Sequence, residues 1–573
     1  MAPARPATPP AAPPSRASTI STLCATPSRG PREMGDPDRE PGAAKSELAK
    51  TASRRSGMDV VDPEEKAEEE APPDVIWVDW DGPDDPANPL NWSKRRKWLI
   101  SSVGILFCSL VSLSVSGYSI SVSSVQSELS CSKEVAVLGV TLFTLTFGAA
   151  PLILAPLSEV YGRSFIYLVS AIGFTIWFIP QGLATNIETV LVTRLTVLWT
   201  AFWVCCVLVT RFLSGICGST AVSLVGGTLA DVFRGHERGT PMALFSRDAL
   251  SLPSSPLIKG FRYVNWVLLA MSGAFTISMF FILDETRASV LLSRKAAKLR
   301  EETGDERHMS RDDFERGSLS EMMKTSLGRP LKMLCREPVL IAFTAWISFT
   351  WGVLYLCLVS IPLVFGRIYG FSTGESGLVY ITQTIGSTIG LVFDLYCNRL
   401  YIKNVAKRGP EARLYSAFGG GVLVPLGSFI YVFTSYPECH WSGPAIGVVI
   451  LYTGMYLVYL TTFSYLADSY SLYASSALSA MSFVRNLVGA IFPLFTTQMY
   501  DGLGIQGAGG LTAGIATLLS VTPFVLFRYG SALRARSPFA RELARREGAG
   551  RANQGGERGT EGANEKKHAE GDV

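Results

Sequence analysis

The 573-residue sequence lacks the side-chain groupings on which most enzymes and metal proteins depend. Its ten cysteines include no C-x-x-C pair, and its four scattered histidines are too few to complete a metal site. It contains no G-x-x-x-x-G-K-S/T loop for nucleotide phosphates, which argues against ATP hydrolysis as an energy source. No Ser/His/Asp constellation indicates nucleophilic catalysis. We therefore expect neither an enzyme nor a bound cofactor.

Both ends of the chain lack apolar periodicity. Residues 1–92 are rich in Pro, Ala, Glu and Arg, and residues 531–573 are polar, charged and rich in Gly. Such segments bury too little apolar surface to fold alone, so we predict two disordered cytosolic tails. The beginning also has no apolar core of the signal-peptide type, and we expect the first membrane span to act as the insertion signal.

What the sequence does contain is long apolar runs. Hydrophobic residues make up 48% of the chain, and they are gathered into runs instead of alternating. A helix needs roughly 20 consecutive apolar residues to cross a bilayer, and only helices or closed barrels satisfy their backbones in lipid. We predict an all-α polytopic membrane protein with eleven spans. They cover residues 98–120, 135–157, 165–184, 206–230, 263–283, 338–363, 376–396, 414–434, 444–467, 476–498 and 509–529.

Basic residues border the membrane runs at three places. These are the quartet Lys94–Lys97, the central loop around residues 294–300, and the segment after the last run, residues 534–546. Lys and Arg beside spans mark the cytosolic side, so both ends and the central loop should face the cytosol. Because each cluster adjoins a membrane run, we expect no nucleic-acid partner. The charge-dense loop at residues 284–337 separates a first transmembrane half, 93–283, from a second, 338–530.

A short charged turn lies between the second and third runs, Ala155-Pro-Leu-Ser-Glu-Val-Tyr-Gly-Arg163. It resembles the cytoplasmic loop signature G-x-L-a-D-r-x-G-R of the major facilitator superfamily, with Ala155 in place of the first Gly. The stretch Asn88-Pro-Leu-Asn-Trp92 resembles the start of the fungal drug:proton antiporters of that superfamily. The resemblance covers residues 86–535. It implies two six-helix halves and proton-linked export of drugs, toxins or polyamines by alternating access.

The resemblance also implies an inner gate. Glu159, Gly162 and Arg163 match the loop signature, and Asp231 at the end of the fourth span is the expected acid for the arginine. Breaking and remaking such pairs makes two packings of one chain nearly equal in energy. The alternative is that these charges only mark topology. A looser second copy, Asp394-Leu-Tyr-Cys-Asn-Arg399, follows the eighth run of the family pattern.

Arg211 lies in apolar surroundings within Arg211-Phe-Leu-Ser-Gly215, which resembles the R-x-x-x-G motif linked to proton coupling. An arginine at a helix centre costs roughly 2.5–3.5 kcal/mol on insertion scales. We therefore predict a carboxylate partner or a wet cavity beside it. The alternative is an arginine that extends its head group to the interface.

A second candidate site follows from Tyr465-Leu-Ala-Asp468-Ser-Tyr470 and from Arg485 in the next run. These residues resemble the D-x-Y…A-S-A…R segment of the fungal antiporters. An aspartate beside tyrosines could bind an organic cation, or could exchange a proton. The alternative is a helix-end acid that pairs structurally with Arg485.

The first half departs from the family pattern at two places. The phrase Val190–Arg194 recurs as Val207–Arg211, so residues 194–210 resemble an insertion. The expected fifth span is missing, because residues 247–260 carry charges and two prolines that a membrane helix does not tolerate. Either the insertion supplies a span, or the chain has an odd count. An odd count would invert the following helices or draw a loop through the membrane, and we expect impaired transport from it.

Three other functions stay open at this point: an importer or uniporter, a membrane sensor or scaffold that binds without transport, and a defective family member. For the preferred exporter, we expect a small-molecule substrate, protons and the lipid bilayer as partners, and a monomer. The family default is the plasma membrane, with the vacuolar membrane second.

Overall fold

A computed structural model of the chain describes residues 75–183, 196–234, 261–315, 319–470 and 473–539, together with Glu237, Pro241, Leu244 and Arg541. The chain divides into the units Met1–Ala71 and Pro72–Val573. Every described residue belongs to the second unit. The predicted tail at 531–573 and residues 1–74 of the predicted tail at 1–92 lie largely or wholly outside the described part.

Helices make up nearly all of the described residues of the first half. They are α1 (Lys94–Ile120), α2 (Val122–Leu129), α3 (Lys133–Ala149), α4 (Pro151–Tyr161), α5 (Arg163–Ile176), α6 (Phe178–Leu183), α7 (Thr196–Gly218), α8 (Thr220–Val232) and α9 (Phe261–Ile282). The central loop contains α10 (Ala288–Thr303), α11 (Arg311–Glu315) and α12 (Leu319–Arg336).

The second half continues in the same manner. Its helices are α13 (Pro338–Tyr369), α14 (Thr373–Val379), α15 (Ile381–Arg408), α16 (Leu414–Phe433), α17 (Ser442–Tyr470), α18 (Ala474–Leu519) and α19 (Thr522–Arg536). A 3-10 turn, Gly409–Arg413, joins α15 to α16.

The described residues contain ten candidate spans, one of which is long enough to cross twice, in agreement with the eleven predicted. Nine helical stretches are long and apolar enough to span, and α3 with α4 form a tenth span bent by 45°. The stretch Ala474–Arg536 holds 63 residues, which would extend about 95 Å as one helix, three times the thickness of the hydrocarbon layer. It turns back at Gly504, whose φ of 71° only glycine adopts readily. This stretch therefore crosses twice.

The insertion does not form a span of its own. Residues 196–218 are one continuous helix that runs on into α8. Extra helical residues at the outer end of α7 lengthen an existing span, because the backbone gains hydrogen bonds by continuing the helix. The alternative in which the insertion restores an even count is thus wrong for the described residues.

The sixth span of the family pattern, α9, keeps its orientation nevertheless. Its first residues contact the outer ends of α1 and α2, where Phe261 packs on Tyr118 at 5.8 Å and Arg262 pairs with Glu128 at 3.3 Å. Its last residues adjoin Asp284, which pairs with Arg96 at the cytosolic end of α1. The chain leaves α8 on the inner side and begins α9 on the outer side. Of the two consequences expected of an odd count, inversion of the following helices therefore does not occur among the described residues.

This orientation predicts opposite reactivity for two new cysteines. In a variant without the ten native cysteines, Arg262→Cys should react with a membrane-impermeant maleimide on intact cells. Arg300→Cys, in the central loop, should react only after permeabilisation. Labelling of Arg262→Cys only after permeabilisation would show that α9 is inverted.

Residues 75–92 differ from the predicted disordered tail, because they are held against the central loop. Strand β1 (Ile76–Trp77) pairs in parallel with β2 (His308–Met309), and Lys295 contacts Asp81 at 2.5 Å. Trp92 is buried against the protein instead of lying in the lipid headgroups. The partners of this segment in the central loop lie more than 200 residues away, beyond the reach of local sequence patterns.

Candidate transport site

A narrow central cavity of about 40 Å³ lies between the two halves. Its wall combines side chains of α1, α3 and α8 from the first half with side chains of α13, α17 and α18 from the second. The lining residues are Cys108, Val111, Ser112, Val115, Phe143, Phe147, Val222, Trp351, Leu354, Tyr355, Leu358, Tyr459 and Arg485. This chamber has the mostly apolar and aromatic lining, with a few polar groups, that is typical of sites for small organic ligands.

The chamber adjoins an outer cavity and is closed on the inner side. The outer cavity, about 380 Å³, shares Leu358 with the chamber and reaches Lys133 and Arg367 at the outer ends of α3 and α13. Thr141 Oγ1 donates to the Ala490 carbonyl at 2.9 Å, so α3 and α18 touch between the outer cavity and the chamber. Farther toward the inner side the halves also touch, because a side chain on Gly148 would collide with Asn486. The larger of the two cavities lies on the outer side, so the structure is an outward-facing arrangement.

Arg485 on α18 is the charged residue of the chamber wall. Only 1% of it is exposed, and its guanidinium lies over the rings of Trp351 (4.2 Å) and Tyr459 (5.3 Å). Nη2 donates to Ser482 at 3.1 Å, whereas Nε and Nη1 have no hydrogen-bond partner among the described residues. The ring faces stabilise the buried charge in part, and two donors stay available.

Arg211 on α7 is equally buried, with 1% of its surface exposed. Nη1 donates to Ser114 at 3.2 Å and Nε to the Gly139 carbonyl at 3.4 Å. The guanidinium lies over Tyr118 and Phe143 at 4.3 and 4.6 Å, and Nη2 has no partner among the described residues. No described carboxylate pairs with it, so the predicted acid partner is absent from the described part. Its burial also excludes a side chain that extends to the interface.

The predicted inner-gate residues Arg163 and Asp231 meet. Arg163 Nε lies 2.5 Å from Asp231 Oδ2, and Arg287 approaches the other oxygen at 3.6 Å. Glu285 accepts hydrogen bonds from the backbone nitrogens of Arg163 and Ser164 at 3.0 and 3.2 Å. A carboxylate there satisfies unpaired donors at the start of α5 and opposes the positive end of the helix dipole. This network ties the inner ends of α5, α8 and α9 together.

Two glycines make room for this network. Gly162 has φ 96°, and a side chain there would strike the Glu285 carboxylate. A side chain on Gly227 would occupy the space of the Arg163 guanidinium. Glu159, half-buried one turn earlier in α4, lies on the same inner end.

The second half carries its own ion pairs at the inner face, and they correct the interpretation of Asp468. Asp468 pairs with Arg413 at 2.8 Å and accepts from the Tyr401 hydroxyl at 3.2 Å. It lines neither cavity, and it does not pair with Arg485. Arg413 stands directly before α16 as Arg163 begins α5, so the pair repeats the geometry of Arg163 and Asp231.

The two tyrosines beside Asp468 also lie away from the chamber. Tyr470 donates to the buried Glu337 at 3.0 Å, and Glu337 also accepts from the Phe539 nitrogen at 3.2 Å. Tyr465 is fully buried, with its ring 4.9 Å from that of Phe343. Both tyrosines secure the inner ends of α13 and α17, so the predicted cation site of one acid and two tyrosines does not form.

Asp394 and Arg399 do not form the loop copy that their spacing suggested. Both lie inside the continuous helix α15, where Asp394 is half-buried near Arg413 and Ser416, and Arg399 is exposed. Five residues on one helix place the two side chains on different faces, because one turn holds 3.6 residues. The charge that sequence reasoning missed was Arg413, the first basic residue after the 3-10 turn's acid, Glu411.

We predict a small effect for Asp468→Asn. The pair with Arg413 is about one-third exposed, and exposed ion pairs contribute about 0.2–1 kcal/mol. Transport should therefore fall by less than about fivefold, and Arg413→Gln should match it. A hundredfold loss in the efflux rate of cationic substrates alone, measured for Asp468→Asn, would show that this acid contacts the substrate.

Known proteins support the architecture. The profile of the Major Facilitator Superfamily matches residues 103–493. Efflux pump radE of Floropilus chiversii is 34% identical over 83% of this chain and 88% of its own length. Multidrug transporter TPO3 of Candida glabrata is 35% identical over 78% of this chain and 70% of its own length.

Solved structures agree at the level of the fold. The E. coli proton:xylose symporter XylE, bound to 6-bromo-6-deoxy-D-glucose, aligns with a TM-score of 0.55 at 16% identity, over 76% of this chain and 96% of that one. The profile match and these relatives agree with the all-helical membrane fold. The chain belongs to the major facilitator superfamily and is related within it to fungal efflux pumps and multidrug transporters.

Proposed function

We propose that this transporter exports small organic compounds from the cell in exchange for protons, by alternating access. The observation that carries the proposal is the chamber between the halves, adjoining an outer cavity and closed on the inner side. Its relatives are named efflux pumps and multidrug transporters, which favours export over import. Export from the cell requires the plasma membrane, and we propose that location.

The inner network acts as one side of the gate in this proposal. With Arg163 paired to Asp231, α4 packs on α12, and α12 packs on α18, so the inner ends stay together. Opening inward requires these surfaces to part while the outer cavity closes. Two such packings interconvert only when their free energies are close, and ion pairs that break and remake keep them so.

Arg211 has a positioning role in the proton step. A guanidinium keeps its proton at physiological pH, so Arg211 does not carry the exchanged proton itself. It ties α7 to α1 and α3, and its free nitrogen is available to a water molecule or a substrate group that carries the proton.

Efflux of a fluorescent substrate from yeast cells tests the proposal. Cells that express the chain should retain less dye than cells that express an Arg211→Gln variant, and a protonophore should abolish the difference. Equal retention in both strains, with the protein present in the plasma membrane, would contradict the proposal.

A further inference from the structure

The two cavities are lined by positive charge and by no described acid. Arg485 is the single charged residue in the chamber wall, and Lys133 and Arg367 are the charged residues of the outer cavity. Arg211 lies behind the chamber against Phe143, which lines it. Tyr355, also in the wall, is close enough to interact electrostatically with the guanidinium groups of both Arg485 and Arg211. The described path from the chamber outward is therefore cationic.

The buried donors in the chamber are incomplete. Arg485 Nε and Nη1 and the Trp351 indole nitrogen have no hydrogen-bond partner among the described residues. A buried charged donor without a hydrogen-bond acceptor costs free energy. A carboxylate is the acceptor that pairs best with a guanidinium. The ring faces of Trp351 and Tyr459 can stack on a flat apolar body.

We infer that the chamber binds aromatic organic acids in their carboxylate form. This inference rests on the proposed function and names the substrate class of that site. The carboxylate pairs with Arg485, and the aromatic body packs among Phe143, Phe147, Trp351 and Tyr459. An organic cation or a polyamine meets the Arg485 guanidinium there, with the Arg211 guanidinium behind Phe143, and is repelled.

The direction of transport suits such a substrate. An anion that leaves the cell moves against no electrical barrier, since the inside-negative potential favours outward movement of negative charge. Lys133 and Arg367 then extend the attractive potential from the chamber to the outer mouth. Arg367 is partly neutralised by Asp501 at 2.8 Å, which limits how strongly the outer cavity retains the anion.

Equilibrium binding to the full chain in phosphatidylcholine nanodiscs tests the inference with three matched probes. They are naphthalene-2-carboxylate, its neutral carboxamide and naphthalen-2-ylmethylammonium. Because a hydrogen bond to a charged group is worth about 1.5–3 kcal/mol, the carboxylate should bind roughly 10- to 100-fold tighter than the amide. The ammonium should show no saturable binding. Equal or tighter binding of the ammonium would overturn the inference.

The variant Arg485→Gln separates a specific contact from general packing. It should bind the carboxylate and the amide equally, and unchanged amide binding shows that the chamber is intact. Arg300→Gln, on the exposed face of α10, removes the same charge and should change nothing. A carboxylate preference that survives Arg485→Gln would contradict the assignment. If this variant does not fold, the order of the three probes on the wild-type chain decides alone.

Failure of the inference and failure of the proposed function are distinguishable, because the binding assay needs no gradient. Carboxylate binding without proton-driven flux would support the inferred substrate class and refute proton exchange. Proton-driven flux of the ammonium but not of the carboxylate would support proton exchange and refute the inferred substrate class.

Discussion

Arg163→Gln should reduce export at least a hundredfold while the protein still inserts. The arginine is buried, and its removal leaves Asp231 with only the more distant Arg287. Removing one partner of a buried ion pair typically costs about 3–5 kcal/mol, which is roughly 10²–10³ in an equilibrium constant. Because the pair closes the inner side, the equilibrium should move away from the outward-facing state. Export rates in inside-out vesicles measure the loss.

The double variant Arg163→Gln/Asp231→Asn is the control. It leaves no uncompensated charge, so it should export better than either single variant. Arg287→Gln, which removes a longer and one-third exposed contact, should cost little. Wild-type export by Arg163→Gln, or strictly additive losses in the double variant, would refute a gate built on this pair.

The second large effect concerns Arg211. Arg211→Gln should abolish proton-driven export, and Arg211→Lys should restore little of it. Arginine reaches Ser114 and the Gly139 carbonyl while it lies over two rings, whereas a lysine is a point charge that cannot satisfy both partners in this geometry. Flux with and without an imposed pH gradient provides the measurement.

Exchange of labelled for unlabelled substrate separates coupling from folding. We expect this exchange, which needs no net proton movement, to persist in Arg211→Gln. Ser114→Ala, which removes one neutral partner, should lower driven export by about tenfold or less. Undiminished gradient-driven export in Arg211→Gln would show that this residue has no part in coupling.

The eleven spans could be predicted from the sequence because lipid imposes a strong length and composition rule on each helix. The same rule could not decide the fate of the insertion. Residues 196–204 are apolar enough to continue a helix but too few to cross the membrane as a separate span. They form the outer end of α7. The fold of residues 75–92 depends on strand pairing with residues 308–309, a distant contact that a local pattern does not encode.

For the candidate site, the sequence predicted the charged residues but few of their partners. Motif spacing identified Arg163, Asp231, Arg211 and Arg485 as charges inside or beside the spans, and the structure buries all four or nearly so. Apart from Asp231 for Arg163, motif spacing did not identify the partners of these charges. Neither Glu285 nor Arg413 was predicted as a partner, and Asp468 pairs with Arg413 instead of lining the chamber, because an ion pair depends on tertiary distance and not on spacing.

Reconstitution of this chain in sealed liposomes tests the central claim most directly. With the chain inserted and an imposed pH gradient, we predict uphill movement of naphthalene-2-carboxylate toward the acidic compartment, lost on addition of a protonophore and in Arg163→Gln. A correctly inserted chain that moves neither this acid nor a matched neutral or cationic compound under the gradient would contradict proton-driven export.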